Sequence, residues 1–245
     1  MVSRDFKTLS ERRLARAHQL RLRYPASQEV LTFFIALVDF QKQIASQIEK
    51  WDSLADLSEP LIALVRKQGP PKLQATALEI NKSSIQTALS NYWQRIDTTS
   101  LTSFFARVLL QPYLAMNRME ELHAIDPNRC PNCGHQPQVG TLHPQGDGMA
   151  MSLVCSLCSK DWPVRRGTCP ACLERREQQL AYYQAPGFDH FQIQVCESCK
   201  VYLHTINIGK EPEAVPEVDE LAALPLDVWA HQQSYHKLQP NLAGI

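Results

Sequence analysis

All eight cysteines of this 245-residue chain stand in one spacing, repeated four times, and the first 129 residues contain none. The pairs are Cys130/Cys133, Cys155/Cys158, Cys169/Cys172 and Cys196/Cys199, each a C-x-x-C. Two such pairs supply four thiolates, the full ligand set of one tetrahedral metal ion. Four pairs therefore predict two mononuclear four-cysteine sites. In such a turn the backbone N–H groups just past the first cysteine point at its sulfur and offset its charge, while both thiolates face one metal.

The pairs can be combined in three ways. Sequential pairing closes loops of 21 and 23 residues and matches a weak internal duplication, in which C-P-x-C is followed by a second C-x-x-C. Nesting would join the first pair to the fourth across 62 residues, at greater loop-closure entropy. A cross-brace stays open. Other cysteine chemistries fit less well. Thioredoxin-like redox uses one C-x-x-C beside a βαβ pattern, and bacterial ferredoxins crowd their cysteines into C-x2-C-x2-C-x3-C-P. Zinc and iron both suit four tetrahedral thiolates.

The formal net charge is zero, so no global field draws the chain to nucleic acid or membrane. Charge is nevertheless unevenly placed. Residues 1–24 carry Arg4, Lys7, Arg12, Arg13, Arg16, Arg21 and Arg23 against Asp5 and Glu11. Residues 211–227 carry Glu211, Glu213, Glu217, Asp219, Glu220 and Asp227. Each run reads first as a solvated face and otherwise as a docking surface. The polar start lacks the pattern of a signal peptide. The longest apolar run, Leu31–Val38, falls far short of the ~20 residues that span a bilayer. The expectation is a soluble, cytoplasmic protein without membrane insertion, whose reducing surroundings disfavour disulfides.

Up to about Ala124 the pattern is helical. A basic helix over 3–23 stops at Pro25, and a long helix runs from an N-cap at Ser27 to about Trp51. A short helix covers 60–67, Gly69-Pro70-Pro71 breaks the chain, and helices over 72–94 and 100–123 follow. From Asp126-Pro127 the texture changes to short β-like runs at Met149–Val154, Trp162–Arg165, Gln179–Tyr183, Gln192–Val195 and Val201–Ile208. Proline-opened helices are expected over 216–223 and from 225 to about 236. The fold class is thus α+β, an N-terminal all-α domain (1–126), two tandem four-cysteine modules (127–165 and 166–245) and a C-terminal helix.

The histidines read as ordinary surface or core residues. His135 follows Cys133 closely, but no ligand place is free for it, and His18, His123, His143, His190, His204, His231 and His236 share no metal or catalytic spacing. No G-x-S-x-G, P-loop or H-E-x-x-H occurs. A closed thiolate site also lacks an open position for hydrolysis, so the chain does not read as an enzyme. Trp162, Tyr182, Tyr183, Phe188, Phe191 and Tyr202 are expected as a small core. Residues 127–210 hold eight Lys/Arg against six Asp/Glu, too balanced for a base-stacking nucleic-acid platform.

At the level of whole strings the distal half resembles the FdhE family of formate dehydrogenase accessory proteins. The stretches are CPNCG (130–134), CSLCSKDWPVRRGTCPAC (155–172), CESCKVYL (196–203) and EPEAVPEVDELAALPLDVWAHQQSY (211–235). The resemblance implies two rubredoxin-like, zinc-ribbon-like modules, each with one iron on four thiolates, two metal ions per chain in all. Carried over by position, Cys130, Cys133, Cys155 and Cys158 hold the first, and Cys169, Cys172, Cys196 and Cys199 the second. It further implies a cytoplasmic maturation factor that binds the catalytic subunit of formate dehydrogenase. Self-association stays open. The rival is a zinc-ribbon protein, nucleic-acid-binding or scaffolding, whose zinc is purely structural.

Overall fold

The computed structural model describes residues 2–48, 50–116 and 126–244. His123, the far end of the helix expected over 100–123, and the side chains of Arg4 and Asp5 lie outside the described residues. Contacts divide the chain into two units. One takes residues 1–19, 29–119 and 240–245, and the other takes 20–28 and 120–239.

The first unit is helical, with α1 (Val2–Arg23, its last residues counted with the second unit), α2 (Gln28–Ala45), α3 (Ser58–Gln68), α4 (Pro71–Glu79), α5 (Lys82–Trp93) and α6 (Leu101–Met116). Helix α2 buries Leu31, Phe33, Phe34, Leu37, Val38, Phe40 and Ile44, more than one stripe, as a central helix must. Leu61, Val65, Leu89, Tyr92, Phe105 and Leu109 complete the core, and Trp51 meets the edges of Trp93 and Tyr113. Each large side chain so buried contributes about 1.5–3 kcal/mol.

Three helix limits differ from expectation. Helix α2 ends at Ala45 and a 3-10 turn over Trp51–Leu57 follows, so no helix reaches Trp51. Ser27 sits in a tight turn (Pro25–Ser27), and its hydroxyl donates to the Ala222 carbonyl at 2.9 Å instead of capping α2. The helix expected over 72–94 is split at Ile80-Asn81, because the Asn81 side chain accepts the Ser84 N–H at 3.0 Å and starts α5.

The second unit carries one seven-stranded sheet. Its strands are β1 (Pro137–Gln145), β2 (Gly148–Cys155), β3 (Asp161–Val164), β4 (Leu180–Tyr183), β5 (Phe191–Cys196), β6 (Val201–Asn207) and β7 (His236–Lys237). The order is β3-β2-β1-β6-β5-β4, with β7 pairing on β6. Strands β1–β3 and β4–β6 are each antiparallel, and the two sets join through a parallel β1–β6 seam, Gly140↔Thr205 to Leu142↔Asn207. At Gly140 a Cβ would meet Met151 Cε at 3.0 Å and Thr205 Oγ1 at 3.3 Å, so the seam accommodates glycine best. The expected modules therefore share one sheet.

Helices α7 (Pro216–Ala222) and α8 (Leu224–Gln232) lie in this unit too. Here the solvated-face reading of the acidic run fails, because Glu217, Asp219, Glu220 and Asp227 are buried. Asp227 accepts hydrogen bonds at Oδ1 from the Tyr202 hydroxyl (2.7 Å) and faces His204 Nε2 (2.8 Å) and Lys237 Nζ (3.1 Å). Lys237 also reaches Glu220 at 3.4 Å, and Gln138 donates to Glu220. Asp219 pairs with His190 Nε2 at 3.1 Å and accepts the Val215 N–H at 2.8 Å. Burial alone would raise the Asp227 carboxyl, but His204 and Lys237 hold it below the usual carboxylate range. For Glu220 burial wins, and its pKa is raised. From the basic run, Arg23 pairs with Glu211 at 3.0 Å near the surface, a bridge worth under about 1 kcal/mol.

The aromatic residues divide. Phe191 and Tyr202 are fully buried and Trp162 nearly so, whereas Tyr182 and Tyr183 are exposed. Phe188 stacks on Tyr24 with ring centroids 5.2 Å apart.

Candidate metal centres

Each C-x-x-C closes a turn with one shared backbone device. The residue after the second cysteine is left-handed in all four, namely Gly134 (φ 73), Ser159 (φ 57), Leu173 (φ 62) and Lys200 (φ 58). That reversal lets Gly134, Leu173 and Lys200 donate their N–H to the carbonyls of Cys130, Cys169 and Cys196 at 2.8–3.0 Å. The N–H groups of Cys130, Cys155 and Cys169 in turn bond the carbonyls of His135, Lys160 and Glu174 at 2.8–2.9 Å. Leu157 N–H points at Cys155 Sγ and Ala171 N–H at Cys169 Sγ, both at 3.4 Å. These are the sulfur-directed amides that the spacing calls for.

The turns meet in sequential pairs. The Sγ atoms of Cys130, Cys133, Cys155 and Cys158 lie within 4.8 Å of one another, and so do those of Cys169, Cys172, Cys196 and Cys199. Close approaches are 3.3 Å (Cys133–Cys155) and 3.5 Å (Cys130–Cys158) in the first group, and 3.7 Å (Cys169–Cys199 and Cys172–Cys196) in the second. A tetrahedron with metal–sulfur bonds of ~2.3 Å puts its sulfurs about 3.8 Å apart. Both groups fit one four-coordinate ion each.

Burial distinguishes them. Cys130, Cys133 and Cys155 are buried and Cys158 partly so, whereas in the second group Cys172 is exposed and Cys199 half-buried. Burial pushes the Cys155 thiol well above its usual range and Cys199 up to about 11. Four sulfurs this close ionise together only around a cation. His135 is not in either group; its Nδ1–H donates to the Cys133 carbonyl at 3.1 Å and steadies the first turn. The left-handed residues were missed in the sequence. Gly134 carried a signal for one, while Ser159, Leu173 and Lys200 carried none.

A helical unit and a single sheet carrying two four-cysteine groups, each spaced for one metal ion, define the class of protein. Residues 167–243 match the family model described as FdhE, C-terminal domain. The chain is 26% identical over 94% of both lengths to a Protein FdhE homolog of Aquifex aeolicus. It is 30% identical to one of Pseudomonas putida, over 46% of this chain and 37% of that protein. The fold matches the crystal structure of the FdhE protein from Pseudomonas aeruginosa with a TM-score of 0.64 at 21% identity, covering 96% of this chain and 95% of that one. The chain is thus similar to FdhE proteins along nearly its whole length, as its cysteine strings led one to expect. Among the described residues no helix is long and apolar enough to cross a membrane.

Proposed function

We propose that the chain is a cytoplasmic accessory factor for formate dehydrogenase maturation, which binds the catalytic subunit of that enzyme through its two four-cysteine modules. The supporting observation is the similarity to one FdhE homologue over 94% of the chain, together with two four-cysteine groups spaced for one ion each. In this reading Cys130, Cys133, Cys155 and Cys158 hold one metal within residues 127–165, and Cys169, Cys172, Cys196 and Cys199 hold a second in the part that follows. Iron is favoured by the resemblance to FdhE alone; a four-thiolate iron centre would pass one electron without changing its ligands, whereas zinc would brace the turns only. With no open coordination position, the working chemistry is binding or electron transfer and not substrate turnover.

The test is capture of the catalytic subunit by the wild-type chain and by Cys196→Ser/Cys199→Ser, paired with formate dehydrogenase activity in a strain lacking the factor. Loss of both capture and rescue is expected. Full rescue by the variant would show that the metal modules do not organise the working surface. The visible spectrum of protein purified without oxygen separates iron from zinc.

A further inference from the structure

Between strand β3 and the third cysteine turn the sheet unit has a cleft of about 200 Å3 that the metal centres do not use. Its floor is apolar and rigid. Met151 and Trp162 are buried on the paired strands β2 and β3, and the Trp162 indole N–H is fixed on the Pro127 carbonyl at 3.3 Å. Its far wall is the third cysteine turn, with Pro170 and the outward-facing Leu173, 38% exposed. Asn128 stitches that wall to the first module by donating to the Ala171 carbonyl at 3.4 Å. Two exposed arginines, Arg165 and Arg175, line the cleft as well, and among the described residues neither guanidinium has an acidic partner. The neighbouring Arg176 contrasts with them, being held by Glu174 at 2.6 Å.

We infer that this cleft is a docking site for an acidic peptide segment of a partner protein, which inserts one large apolar side chain between Trp162 and Leu173 and places flanking carboxylates on Arg165 and Arg175. Size supports a side chain as the occupant. The volume exceeds the ~150 Å3 cavity that admits benzene and falls below the ~300–1,000 Å3 of small-molecule sites. Buried aromatic floors with arginine at the rim are the usual composition of binding hot spots. Pro163 lacks a donor on the edge strand β3, so the segment is held by its side chains and not by strand addition. The inference supplies a surface for the docking proposed above. It rests on that reading for the identity of the partner and not for the binding itself.

The experiment measures fluorescence polarisation of a labelled short peptide, one Phe flanked on both sides by Asp and Glu, titrated with the full chain as purified. Saturable binding is expected. It should weaken by about tenfold or more with Arg165→Glu/Arg175→Glu, and similarly with Leu173→Asn, which suits the left-handed backbone there. Replacing the Phe of the peptide by Ala should have a comparable effect. All three protein substitutions are at exposed positions, and circular dichroism confirms that the variants fold. No binding by the wild type, or equal binding by all variants, overturns the inference. Tighter binding of a single-stranded oligonucleotide than of the peptide overturns it in favour of a nucleic-acid partner. If the variants lose the peptide yet still capture the dehydrogenase subunit, the cleft keeps its peptide and the dehydrogenase docks elsewhere.

Discussion

Gln41 of helix α2 donates its side-chain amide to the main-chain carbonyl of Val108 in α6, at 2.9 Å and fully buried. That carbonyl is the one left without its helical donor by Pro112, four residues on, which has no N–H. An apolar core position thus carries a glutamine because a proline interrupts the facing helix. The same amide also donates to Gln111 Oε1 at 3.1 Å. Gln41→Leu should destabilise the helical unit by about 1–3 kcal/mol through the orphaned carbonyl. In a Pro112→Ala background, where alanine restores the donor, the cost should shrink. Urea unfolding of the four members of this double-mutant cycle measures the coupling, and equal costs in both backgrounds would refute the account.

Lys237 is buried between Glu220 and Asp227, so removing its ammonium strands two carboxylates. Lys237→Met should cost about 3–5 kcal/mol at neutral pH. The sign of its pH dependence follows from the two shifts. Asp227 is held below its ordinary value, so its stabilising share is present above about pH 4 and lost on acidification. Glu220 is raised, so its share is present below its ordinary pKa and lost as pH rises through the folded value. Without Lys237 both carboxyls move up, and the penalty should ease between pH 7 and 5. Thermal melts of wild type and variant across that range check it, and a gap that widens on acidification contradicts it.

The cysteine frame was legible because its information is local, with spacing alone giving the four turns whose sulfurs come together in two groups. The acidic run was misread because its partners are remote. Asp227 finds Tyr202 and His204, Glu220 finds Gln138, and nothing within 211–227 announces that these charges go inside. The same distance hid the partners of His190 and His204, which are core residues paired with Asp219 and Asp227. Strand β1 escaped because Pro137, Gly140 and Pro144 mask any strand pattern, yet it is paired on both sides, antiparallel to β2 and parallel to β6. Apolar periodicity continues across Asn81 and so predicts a single helix where α4 and α5 stand; the Asn81 capping bond decides the break.

Gly134 is the only glycine among the four left-handed turn residues, so it offers a test confined to one module. A β-branched side chain at φ 73 is strained by at least about 1–2 kcal/mol. Gly134→Val should lower the metal content of the first group and leave the second loaded. Metal analysis combined with thiol labelling of Cys130, Cys133, Cys155 and Cys158 measures this. Equal loss from both groups would mean that the modules load as one.

The unequal burial of the two groups predicts an order of metal loss. Cys172 is exposed and Cys199 half-buried, so a chelator or competing thiol reaches the second centre directly, whereas the first is enclosed on three of its four sulfurs. Ligand exchange needs an approach to the metal or a transiently freed thiolate, and both are easier where sulfur meets water. Two metals per full chain are expected at the outset. During chelation, Cys169, Cys172, Cys196 and Cys199 should become alkylatable before Cys130, Cys133, Cys155 and Cys158, in two kinetic phases of about equal amplitude. Cys130→Ser/Cys133→Ser should then abolish the slow phase, free Cys155 and Cys158, and leave the fast phase intact. Peptide mapping of the alkylated sites gives the order, and early labelling of Cys155 would reverse it.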